Sequence, residues 1–359
     1  THRHSSAASD VYKRQATGYG GIQAVNLLKN NKNYKISYLG GNKSSGTKWS
    51  DNFPFINLES DNLIEKISID RIADKANVAL LCLPSGISST LTRGLLEKGV
   101  KVIDLSADYR YKSLDQWKNI YSNEAKKYKR DDDDLCKEAV YGLPEINFND
   151  ISKARLIACP GCYPTSALIP LSPFLSQGII DNEGIVIDSK SGTSGGGREP
   201  HQKLLFSECG DGLSAYGLIN HRHTSEIEQI ASFISGNDIE LLFTPHLIPM
   251  TRGMHSTIYG RLRDPGLTSS DCRIILENYY RNHSHIRVLP VDIYPSTKWV
   301  KNTNEIHLSV KVDTRNGRII ILSVIDNLIK GQTGQAIQNL NLISGLPINN
   351  GLEMINHYP

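Results

Sequence analysis

The sequence predicts a two-domain α/β protein, with a doubly wound parallel sheet followed by an α+β domain that holds a mixed or antiparallel sheet. At 359 residues the chain is too long for one compact core, so two domains are expected. Short apolar runs alternate with helical patterns in the first part, as in a Rossmann-type sheet, whereas strand-like runs dominate the second part. We place the first domain at residues 16–161 and 327–359 and the second at residues 162–326.

The composition is that of an ordinary globular protein and excludes several classes. Hydrophobic residues make up 39% of the chain, and the mean hydropathy is −0.32. The longest apolar runs, such as residues 77–83, are as long as a strand and far shorter than a bilayer span. The net charge is +3 without a long basic tract, so we expect no membrane segment and no nucleic-acid partner. Six scattered cysteines suit reduced thiols in the cytoplasm better than a disulfide framework.

The first fifteen residues do not fit the pattern that follows them. They lack an initiator Met and contain no apolar alternation or run. A glycine-rich turn comes next, Ala16-Thr-Gly-Tyr-Gly-Gly21, and such a turn normally follows a buried parallel strand. Gln15 stands where a first glycine would open that turn. We therefore expect that residues 1–15 are not native, and that a cloning scar or a sequencing or assembly error has replaced the true first strand.

Two segments indicate a dinucleotide site. Gly18 and Gly21 shape a turn that leads into a helix, whose N-terminal N–H groups would bind a pyrophosphate. A predicted strand over residues 34–39 then ends in a polar loop with Lys-Ser-Ser at positions 43–45. Sites that prefer NAD usually place an acidic residue here for the ribose 2′-OH, and this sequence has none. A lysine and two serines suit a 2′-phosphate, so NADP is favoured.

Two more predicted strands end in residues suited to a ligand. Residues 77–83 form a continuous apolar strand that runs into Pro84, and residues 100–105 form another that is followed by Arg110. Ligands of doubly wound sheets bind beyond the carboxyl ends of the strands, so both residues are expected near a ligand. The polar, tyrosine-rich segment 111–140 is predicted to be helix and loop that cover the sheet edge.

A cysteine marks the passage to the second domain. Residues 155–159 form a short apolar strand, Pro160 and Gly161 break it, and an amphipathic pattern begins at Thr165. Cys162 therefore stands on a strand-to-helix turn, close to unpaired backbone N–H groups that lower the pKa of a thiol. Because the thiolate is the form that attacks a carbonyl carbon, Cys162 is a candidate nucleophile.

The second part of the chain supplies candidate partners for that thiol. A strand at residues 184–189 leads to a glycine-rich loop that ends at Arg198, and an arginine there would bind phosphate or carboxylate. His221 precedes a helix for which Thr224 or Ser225 is the expected N-cap, and its imidazole suits general acid/base catalysis. Further strands are predicted at 240–244, 256–259, 305–310 and 318–324, and further helices at 271–282 and from 326 onward.

Eight ordered motifs run through the chain from residue 16. They are Ala16-Thr-Gly-Tyr-Gly-Gly21, Asp104-Leu-Ser-Ala-Asp-Tyr-Arg110, Tyr141-Gly-Leu-Pro-Glu145, Pro160-Gly-Cys-Tyr-Pro-Thr165, Ser191-Gly-Thr-Ser-Gly-Gly-Gly-Arg198, His221-Arg-His-Thr-Ser-Glu226, Thr244-Pro-His-Leu-Ile-Pro-Met250 and Asp326-Asn-Leu-Ile-Lys-Gly331. Together they resemble the N-acetyl-gamma-glutamyl-phosphate reductases, which are related to the aspartate-semialdehyde dehydrogenases. This resemblance extends to the C-terminus.

The resemblance implies a reaction and a set of site residues. NADPH would reduce N-acetyl-L-glutamyl 5-phosphate to N-acetyl-L-glutamate 5-semialdehyde and phosphate, in arginine biosynthesis. Cys162 would attack the acyl phosphate to form a thioester and His221 would be the general acid/base, while Arg110 and Arg198 would bind substrate anions. The cofactor would be lined by Thr17, Gly18, Tyr19, Gly21, Lys43, Ser44, Ser45, Pro84, Ser191, Gly192 and Asn327. Such enzymes are usually homodimers or homotetramers through the second domain, and no partner besides the small-molecule substrate is expected.

Departures from the family pattern leave alternatives open. The first strand and first glycine are absent, which puts cofactor affinity and stability in question. Cys159 stands where the family usually has Asn, and with Cys162 it forms a C-x-x-C pair typical of thiol–disulfide or metal-binding proteins. His221 and His223 could complete a metal site, but at i and i+2 they would point apart in regular structure, so no metal is expected. The carrier-protein-linked aminoadipyl-phosphate reductases of lysine biosynthesis and the aspartate-semialdehyde dehydrogenases remain alternatives for the substrate.

Overall fold

The computed structural model describes residues 18–58 and 63–354, and the backbone of residues 6–10. The chain forms two compact units. The first comprises the described residues up to Pro160 together with Gln332–Glu353, and the second comprises Gly161–Gly331. The boundaries expected from the sequence, at 161/162 and 326/327, fall near these junctions. Within the described part of the chain, no helix is long and apolar enough to cross a membrane.

The strands and helices are numbered along the chain. The strands are β1 (Ser6–Asp10), β2 (Lys35–Gly40), β3 (Ile64–Glu65), β4 (Val78–Leu81), β5 (Lys101–Asp104), β6 (Val140–Tyr141), β7 (Leu156–Ala158), β8 (Ile185–Gly192), β9 (Ser214–Ala215), β10 (Leu241–Ile248), β11 (Met254–Arg261), β12 (Ile286–Val288), β13 (Ile306–Asp313) and β14 (Arg318–Ile325). The α-helices are α1 (Tyr19–Leu28), α2 (Trp49–Asn52), α3 (Ile69–Lys75), α4 (Ser89–Glu97), α5 (Leu114–Ile120), α6 (Ser122–Lys127), α7 (Asp133–Glu138), α8 (Pro144–Lys153), α9 (Cys162–Ser176), α10 (Phe206–Cys209), α11 (Arg222–Ser235), α12 (Ser269–Tyr280) and α13 (Gly334–Ile343). Short 3₁₀ segments lie at Thr193–Gly196, Gln202–Leu204 and Thr297–Trp299, and a π-helical turn lies at Ile329–Thr333.

The sheet of the first unit has the strand order β3-β2-β1-β4-β5-β7-β6, and all of these pairs are parallel. The predicted doubly wound parallel sheet is therefore confirmed. Strand β1 lies in the middle of the sheet, β2 and β3 follow on one side of it, and β4, β5, β7 and β6 lie on the other side. Ligands of such sheets bind in the crevice where the strand order reverses, which here is the junction of β1 and β4.

The expectation that the first strand is missing was wrong. β1 pairs with both β2 and β4, with Ala7 opposite Val78 and Asp10 opposite Leu81. Its sequence, Ser-Ala-Ala-Ser-Asp, contains no apolar run, so hydrophobic patterning gave no sign of it. The ladder is made by backbone N–H and C=O groups, which do not depend on the side chain. That residues 1–15 are not native stays a prediction.

Apolar side chains cover both faces of this sheet. On one face α1 and α13 contribute Leu28 and Leu340, and on the other α3 and α4 contribute Ile72 and Leu95. All four residues of β4 are buried between these layers. Burial on both sides explains why the predicted strands of this unit are continuous apolar runs rather than alternating ones.

The sheet of the second unit has the order β12-β13-β14-β11-β8-β10-β9. The β8–β10 and β12–β13 pairs are parallel and the others are antiparallel, so the predicted mixed sheet is confirmed. Along β8 the side chains alternate between buried and half-buried from Ile185 to Lys190. Helix α9 contacts β11 and β14 and is buried from Tyr163 to Leu175, as expected for a helix that is apolar all round.

Candidate active site

Cys162 is the first residue of helix α9, in the second unit. Gly161 occupies the N-cap with an extended backbone (φ −68°, ψ 158°), it has no side chain to cap this end, and the first turn carries no acidic residue. The Cys162 sulfur therefore lies at a helix N-terminus, whose partial positive charge favours an anion. The π-helical turn presses against the same residue, because a Cβ on Gly331 would lie 2.9 Å from Cys162 Cβ.

Helix α11 holds the turn that precedes Cys162. The Gly161 N–H donates to Glu226 Oε1 at 2.9 Å, and Glu226 is fully buried. The His223 imidazole lies against the same glycine, since a Cβ on Gly161 would come within 2.3 Å of His223 Nε2. Both residues belong to a motif that the sequence shows, but the pattern alone assigned neither of them to the site.

His221 is the N-cap of α11, and its Nδ1 accepts a hydrogen bond from the His223 N–H at 3.1 Å. The expectation that Thr224 or Ser225 caps this helix was wrong, because the imidazole performs the capping earlier in the chain. With Nδ1 accepting, the proton of the neutral ring is assigned to Nε2. Burial, and then the charge of Arg222, lower the pKa of His221 to about 4, so its ring is neutral at physiological pH.

Aromatic and imidazole rings surround His221. Its centroid lies 5.6 Å from that of Tyr163, 5.4 Å from Tyr216, 5.0 Å from His223 and 5.3 Å from Phe243. In regular structure His221 and His223 would point apart, but His221 precedes the regular part of the helix, and the two rings lie side by side. Among the described residues, no group of three or more His, Cys, Asp and Glu side chains is placed to hold a metal ion.

Two tyrosine hydroxyls, which sequence analysis missed, lie close enough to Cys162 to respond to its charge. The hydroxyl oxygens of Tyr163 and Tyr216 are 3.0 Å apart, and Tyr163 also donates to the His246 backbone oxygen at 3.3 Å. Burial raises the pKa of Tyr216 to about 12, and the Cys162 charge adds to that rise. Burial and the neighbouring Tyr216 likewise raise the pKa of Tyr163. Both hydroxyls therefore keep their protons and serve as hydrogen-bond donors.

The predicted cofactor residues of the second unit lie in one cluster of loops. Asn327 Oδ1 accepts a hydrogen bond from the Gly253 N–H at 2.8 Å, and its Nδ2 donates to Ser194 Oγ at 2.9 Å. The end of β8 that carries Ser191 and Gly192 joins the same loop, because the Gly192 N–H donates to the Gly253 backbone oxygen at 2.9 Å. The structure therefore brings these three predicted residues together.

Arg252, in the loop after β10, is a cation that sequence analysis missed. Its Nε lies 3.2 Å from Asp326 Oδ2, and its Nη1 donates to Asn302 Oδ1 at 2.9 Å. A Cβ on Gly192 would lie 3.0 Å from the Arg252 backbone nitrogen, so the arginine is next to the loop cluster. The signal that could have revealed Arg252 is its position two residues after the motif that ends at Met250.

In the first unit, helix α1 begins directly after Gly18 at the reversal of the strand order. Gly18 has an extended backbone (φ −84°, ψ 161°), and this helix end has neither a side-chain cap nor an acidic residue. Gly21 is buried in the first turn, while Tyr19 is exposed. A helix N-terminus of this kind fits the pyrophosphate of a dinucleotide. Thr17 lies outside the described residues.

The other predicted cofactor residues of this unit lie at the same edge of the sheet. Lys43 and Ser45 are exposed and Ser44 is half-buried in the loop that follows β2. Pro84 is exposed in the loop that follows β4. Since β2 and β4 flank β1, both loops border the crevice where a dinucleotide fits.

The two predicted substrate arginines differ in their surroundings and belong to different units. Arg110 is buried in the first unit, where its Nε donates to the Cys159 backbone oxygen at 2.8 Å and its Nη2 donates to that of Leu105 at 3.3 Å. These bonds tie together the chain segments that follow β5 and β7. Arg198 is exposed in the second unit, directly after Gly197 with its φ of +86°. That either arginine binds substrate stays a prediction.

Cys159, the other member of the C-x-x-C pair, is buried in the first unit. Burial raises its pKa to about 12, and Asn339 Nδ2 lies 3.6 Å from its sulfur. A thiol that keeps its proton in this way is a poor nucleophile. This environment gives no support to the redox-pair alternative.

Two family models match the chain, one in each part. Residues 16–154 match the semialdehyde dehydrogenase NAD binding domain, and residues 162–327 match the semialdehyde dehydrogenase dimerisation domain. Together these matches cover most of the chain.

Curated relatives and solved structures point the same way. The chain is 98% identical over 344 residues to an N-acetyl-gamma-glutamyl-phosphate reductase of Prochlorococcus marinus subsp. pastoris, a match that covers 96% of this chain and 98% of the relative. It is 58% identical to that of Prochlorococcus marinus strain NATL1A, with 96% of each covered. An aspartate semialdehyde dehydrogenase from Vibrio cholerae, complexed with ASA, has the same fold, with a TM-score of 0.71 at 15% identity and 96% and 99% coverage. So has an aspartate semialdehyde dehydrogenase with NADP from Candida albicans, with a TM-score of 0.67 at 15% identity and 95% and 98% coverage.

Proposed function

This chain belongs to the N-acetyl-gamma-glutamyl-phosphate reductase family, and from that premise we propose how its residues perform the reaction. The chain is a reductase of amino-acid biosynthesis that binds a nicotinamide cofactor. It converts N-acetyl-L-glutamyl 5-phosphate to N-acetyl-L-glutamate 5-semialdehyde and phosphate, a step of arginine biosynthesis. The observation that carries the mechanism is Cys162 at the N-terminus of α9, directly after a glycine N-cap.

Cys162 is the proposed nucleophile. Its thiolate forms a bond to the acyl carbon of the substrate, the carbon–oxygen bond to the phosphoryl group breaks, and inorganic phosphate leaves with that electron pair. The product of this step is a thioester on Cys162. When bound, the nicotinamide supplies the hydride that reduces the thioester carbonyl.

His221 is the proposed donor to the carbonyl oxygen. Because Nδ1 is occupied by the His223 N–H and the ring is neutral, the proton available to substrate is the one on Nε2. A hydrogen bond from Nε2 stabilises the oxyanion that forms at the reacting carbon. Collapse of that oxyanion breaks the sulfur–carbon bond, releases the aldehyde and returns the thiolate.

Glu226 and His223 are the proposed supports of the nucleophile. The Glu226 carboxylate fixes the Gly161 N–H, and the His223 ring fills the space that a side chain at Gly161 would take. Holding this turn fixes the backbone direction at Cys162, and misplacement of a nucleophile by about 1 Å costs roughly a hundredfold in rate.

NADP is the proposed cofactor. Lys43 and Ser45 are exposed and Ser44 is half-buried in the loop after β2, where NAD-specific sites place an acidic residue. A lysine ammonium and serine hydroxyls suit the charge and the acceptor oxygens of a 2′-phosphate.

Cys162→Ser tests the proposed nucleophile. We would follow NADPH formation by absorbance from N-acetyl-L-glutamate 5-semialdehyde, NADP and phosphate. With the wild-type enzyme we expect the NADPH absorbance to rise only when phosphate is present. The variant should lose roughly a thousandfold or more in rate, because a serine hydroxyl is not ionised at neutral pH. It should still bind NADPH, as measured by the cofactor's fluorescence.

Cys209→Ser is the matched control, since it makes the same exchange at another half-buried cysteine of the second unit. Its rate should equal that of the wild type. Phosphate-dependent turnover that survives in Cys162→Ser would rule out the thioester. If the wild type binds NADPH but turns over only a longer semialdehyde, its substrate is that of the aminoadipyl-phosphate reductases of lysine biosynthesis.

We further propose that the chain is a homo-oligomer that associates through the sheet of the second unit. Leu242, Val186, Tyr259 and Ile320 stand opposite one another in register across β10, β8, β11 and β14. All four are half-buried or exposed, so they form an apolar row on the open face of the sheet. Rows of this kind on a protein surface mark association sites.

A further inference from the structure

Asp108 is fully buried in the first unit and faces the loop that follows β4. Its Oδ1 accepts a hydrogen bond from the Gly86 N–H at 2.6 Å, and its Oδ2 accepts one from the Ser89 N–H at 3.0 Å. Ser89 is the first residue of α4, whose preceding residue, Ser88, makes no side-chain cap. One carboxylate from elsewhere in the chain thus holds both the loop and the start of the helix.

This loop borders the crevice where the strand order of the sheet reverses. It follows β4, which pairs directly with β1, so it is one of the two loops at the point where dinucleotides bind in doubly wound sheets. The loop is also confined from its other side. Gly86 has a φ of +87°, and a Cβ there would fall 2.3 Å from the Tyr128 ring. The loop conformation is therefore fixed between the carboxylate of Asp108 and the ring of Tyr128.

Asp108 is itself held from behind. Its N–H donates to Ser106 Oγ at 3.1 Å, and its backbone oxygen accepts a hydrogen bond from Arg130 Nη1 at 2.8 Å. Arg130 pairs with Asp132 through its Nε at 2.9 Å. Burial and the neighbouring Asp104 raise the pKa of Asp108 to about 7, so keeping a carboxylate here is costly. A buried ionisable group with so strong a shift in pKa is expected to have a functional role.

We propose that Asp108 is a positioning residue for the nicotinamide cofactor, because its carboxylate holds the loop from Pro84 to Ser88 in the shape that receives the dinucleotide. The proposal rests on the proposed function, since it assumes that the cofactor lies in this crevice. With the loop fixed in advance, cofactor binding does not have to order it, which strengthens binding. Asp108 touches no reacting atom, so its effect falls on cofactor affinity and not on the chemical step.

Asp108→Asn is the test. The amide keeps the volume and one acceptor, but its NH₂ group faces a backbone N–H that has lost its partner. We expect NADPH to bind at least about tenfold more weakly, as the loss of a buried hydrogen bond to a charged group predicts. The KM for NADP should rise accordingly, while kcat at saturating cofactor and the KM for the semialdehyde stay within about twofold of the wild type.

Tyr34→Phe is the matched control. Tyr34 is also buried in the first unit, and its hydroxyl donates to Asn341 Oδ1 at 2.9 Å, a bond that involves neither the loop nor the residues that hold Asp108. This variant should lower the melting temperature and leave the NADPH affinity unchanged. If Asp108 were merely structural, both variants would lose NADPH affinity in proportion to the fall in their melting temperatures. That result would overturn the proposal.

Hydrogen exchange on the wild-type protein gives a test that does not depend on a variant. Without cofactor, the Gly86 and Ser89 amides should be protected, because Asp108 already binds them. Exchange at the rate of open amides would show that the loop is not preformed and would overturn the proposal. Failure of the wild type to bind NADPH would count against the proposed function, whereas normal binding by Asp108→Asn would count against the role of Asp108 alone.

Discussion

Two cysteines three positions apart show how strongly a residue's chemistry depends on its neighbours. Cys159 is buried among apolar side chains, and burial raises its pKa to about 12. Cys162 is half-buried at a helix N-terminus whose N-cap is a glycine. Composition and spacing treat the two thiols alike. Their environments support the proposed role of Cys162 as the nucleophile, whereas a thiol that keeps its proton, like that of Cys159, is a poor nucleophile.

The pKa of His221 gives a prediction at the residue scale. Its ordinary value of 6.5 falls to about 4 in the folded chain, first through burial and then through Arg222. The unfolded chain therefore binds more protons between these two values, so His221 contributes stability that is present above pH 6.5 and lost as the pH falls toward 4. Histidine-selective NMR should place the titration of His221 near 4, and Arg222→Gln should raise it. A titration near 6.5 in the wild type would contradict the effect of burial on this ring, and a pKa above that of a free imidazole, so that the ring is charged at neutral pH, would contradict the neutral donor role.

Lys43 carries the prediction for cofactor preference. Lys43→Glu should raise the KM for NADP roughly tenfold or more, because the new charge repels the 2′-phosphate, and should not raise the KM for NAD, whose 2′-OH a carboxylate accepts. Lys32→Glu makes the same charge change at an exposed position before β2, at the opposite end of that strand, and should change neither value. Equal losses for both cofactors in Lys43→Glu would mean that this loop does not select the phosphate.

At the scale of the element, helix α11 holds the turn that precedes Cys162, the proposed nucleophile. Its N-cap is His221, His223 follows in the first turn, and Glu226 lies one turn further on. Three side chains of one short segment therefore reach the cap of α9 and the rings around it. Because the His221 imidazole is the cap, the helix begins at Arg222, and this early start brings His223 and Glu226 to the turn at Gly161.

Gly161→Ala tests this arrangement. The backbone of Gly161 (φ −68°) is in a conformation that any residue can adopt, so alanine at this position introduces only a steric clash and no backbone strain. Its Cβ would displace the His223 ring, and we expect kcat/KM to fall about tenfold or more while the melting temperature changes little. Gly212→Ala is the control, since a Cβ there meets nothing within 4 Å. Full activity of Gly161→Ala would show that the position of the His223 ring does not matter for catalysis.

At the scale of the molecule, the open face of the second sheet carries the prediction for assembly. Ile320→Glu should shift the chain toward a monomer in sedimentation or light-scattering measurements, because a buried unpaired charge opposes association. Phe233→Glu is the control, since Phe233 on α11 is 72% exposed and lies outside the sheet. Oligomers that persist in Ile320→Glu but dissociate in Phe233→Glu would place the interface elsewhere.

The sequence by itself determined the two-domain architecture, the parallel and mixed sheets, and the strand-to-helix turn at Cys162. These are local signals, since hydrophobic periodicity and Pro-Gly breaks are set by residues a few positions apart. Tertiary structure alone decided the rest. β1 is recognised only by its backbone pairing, because its side chains carry no strand pattern. The bonds from Glu226 to Gly161 and from Asp108 to Gly86 join positions 65 and 22 residues apart, and no local pattern encodes such a partner. They exist because folding leaves a buried carboxylate no stable alternative to the nearest N–H groups.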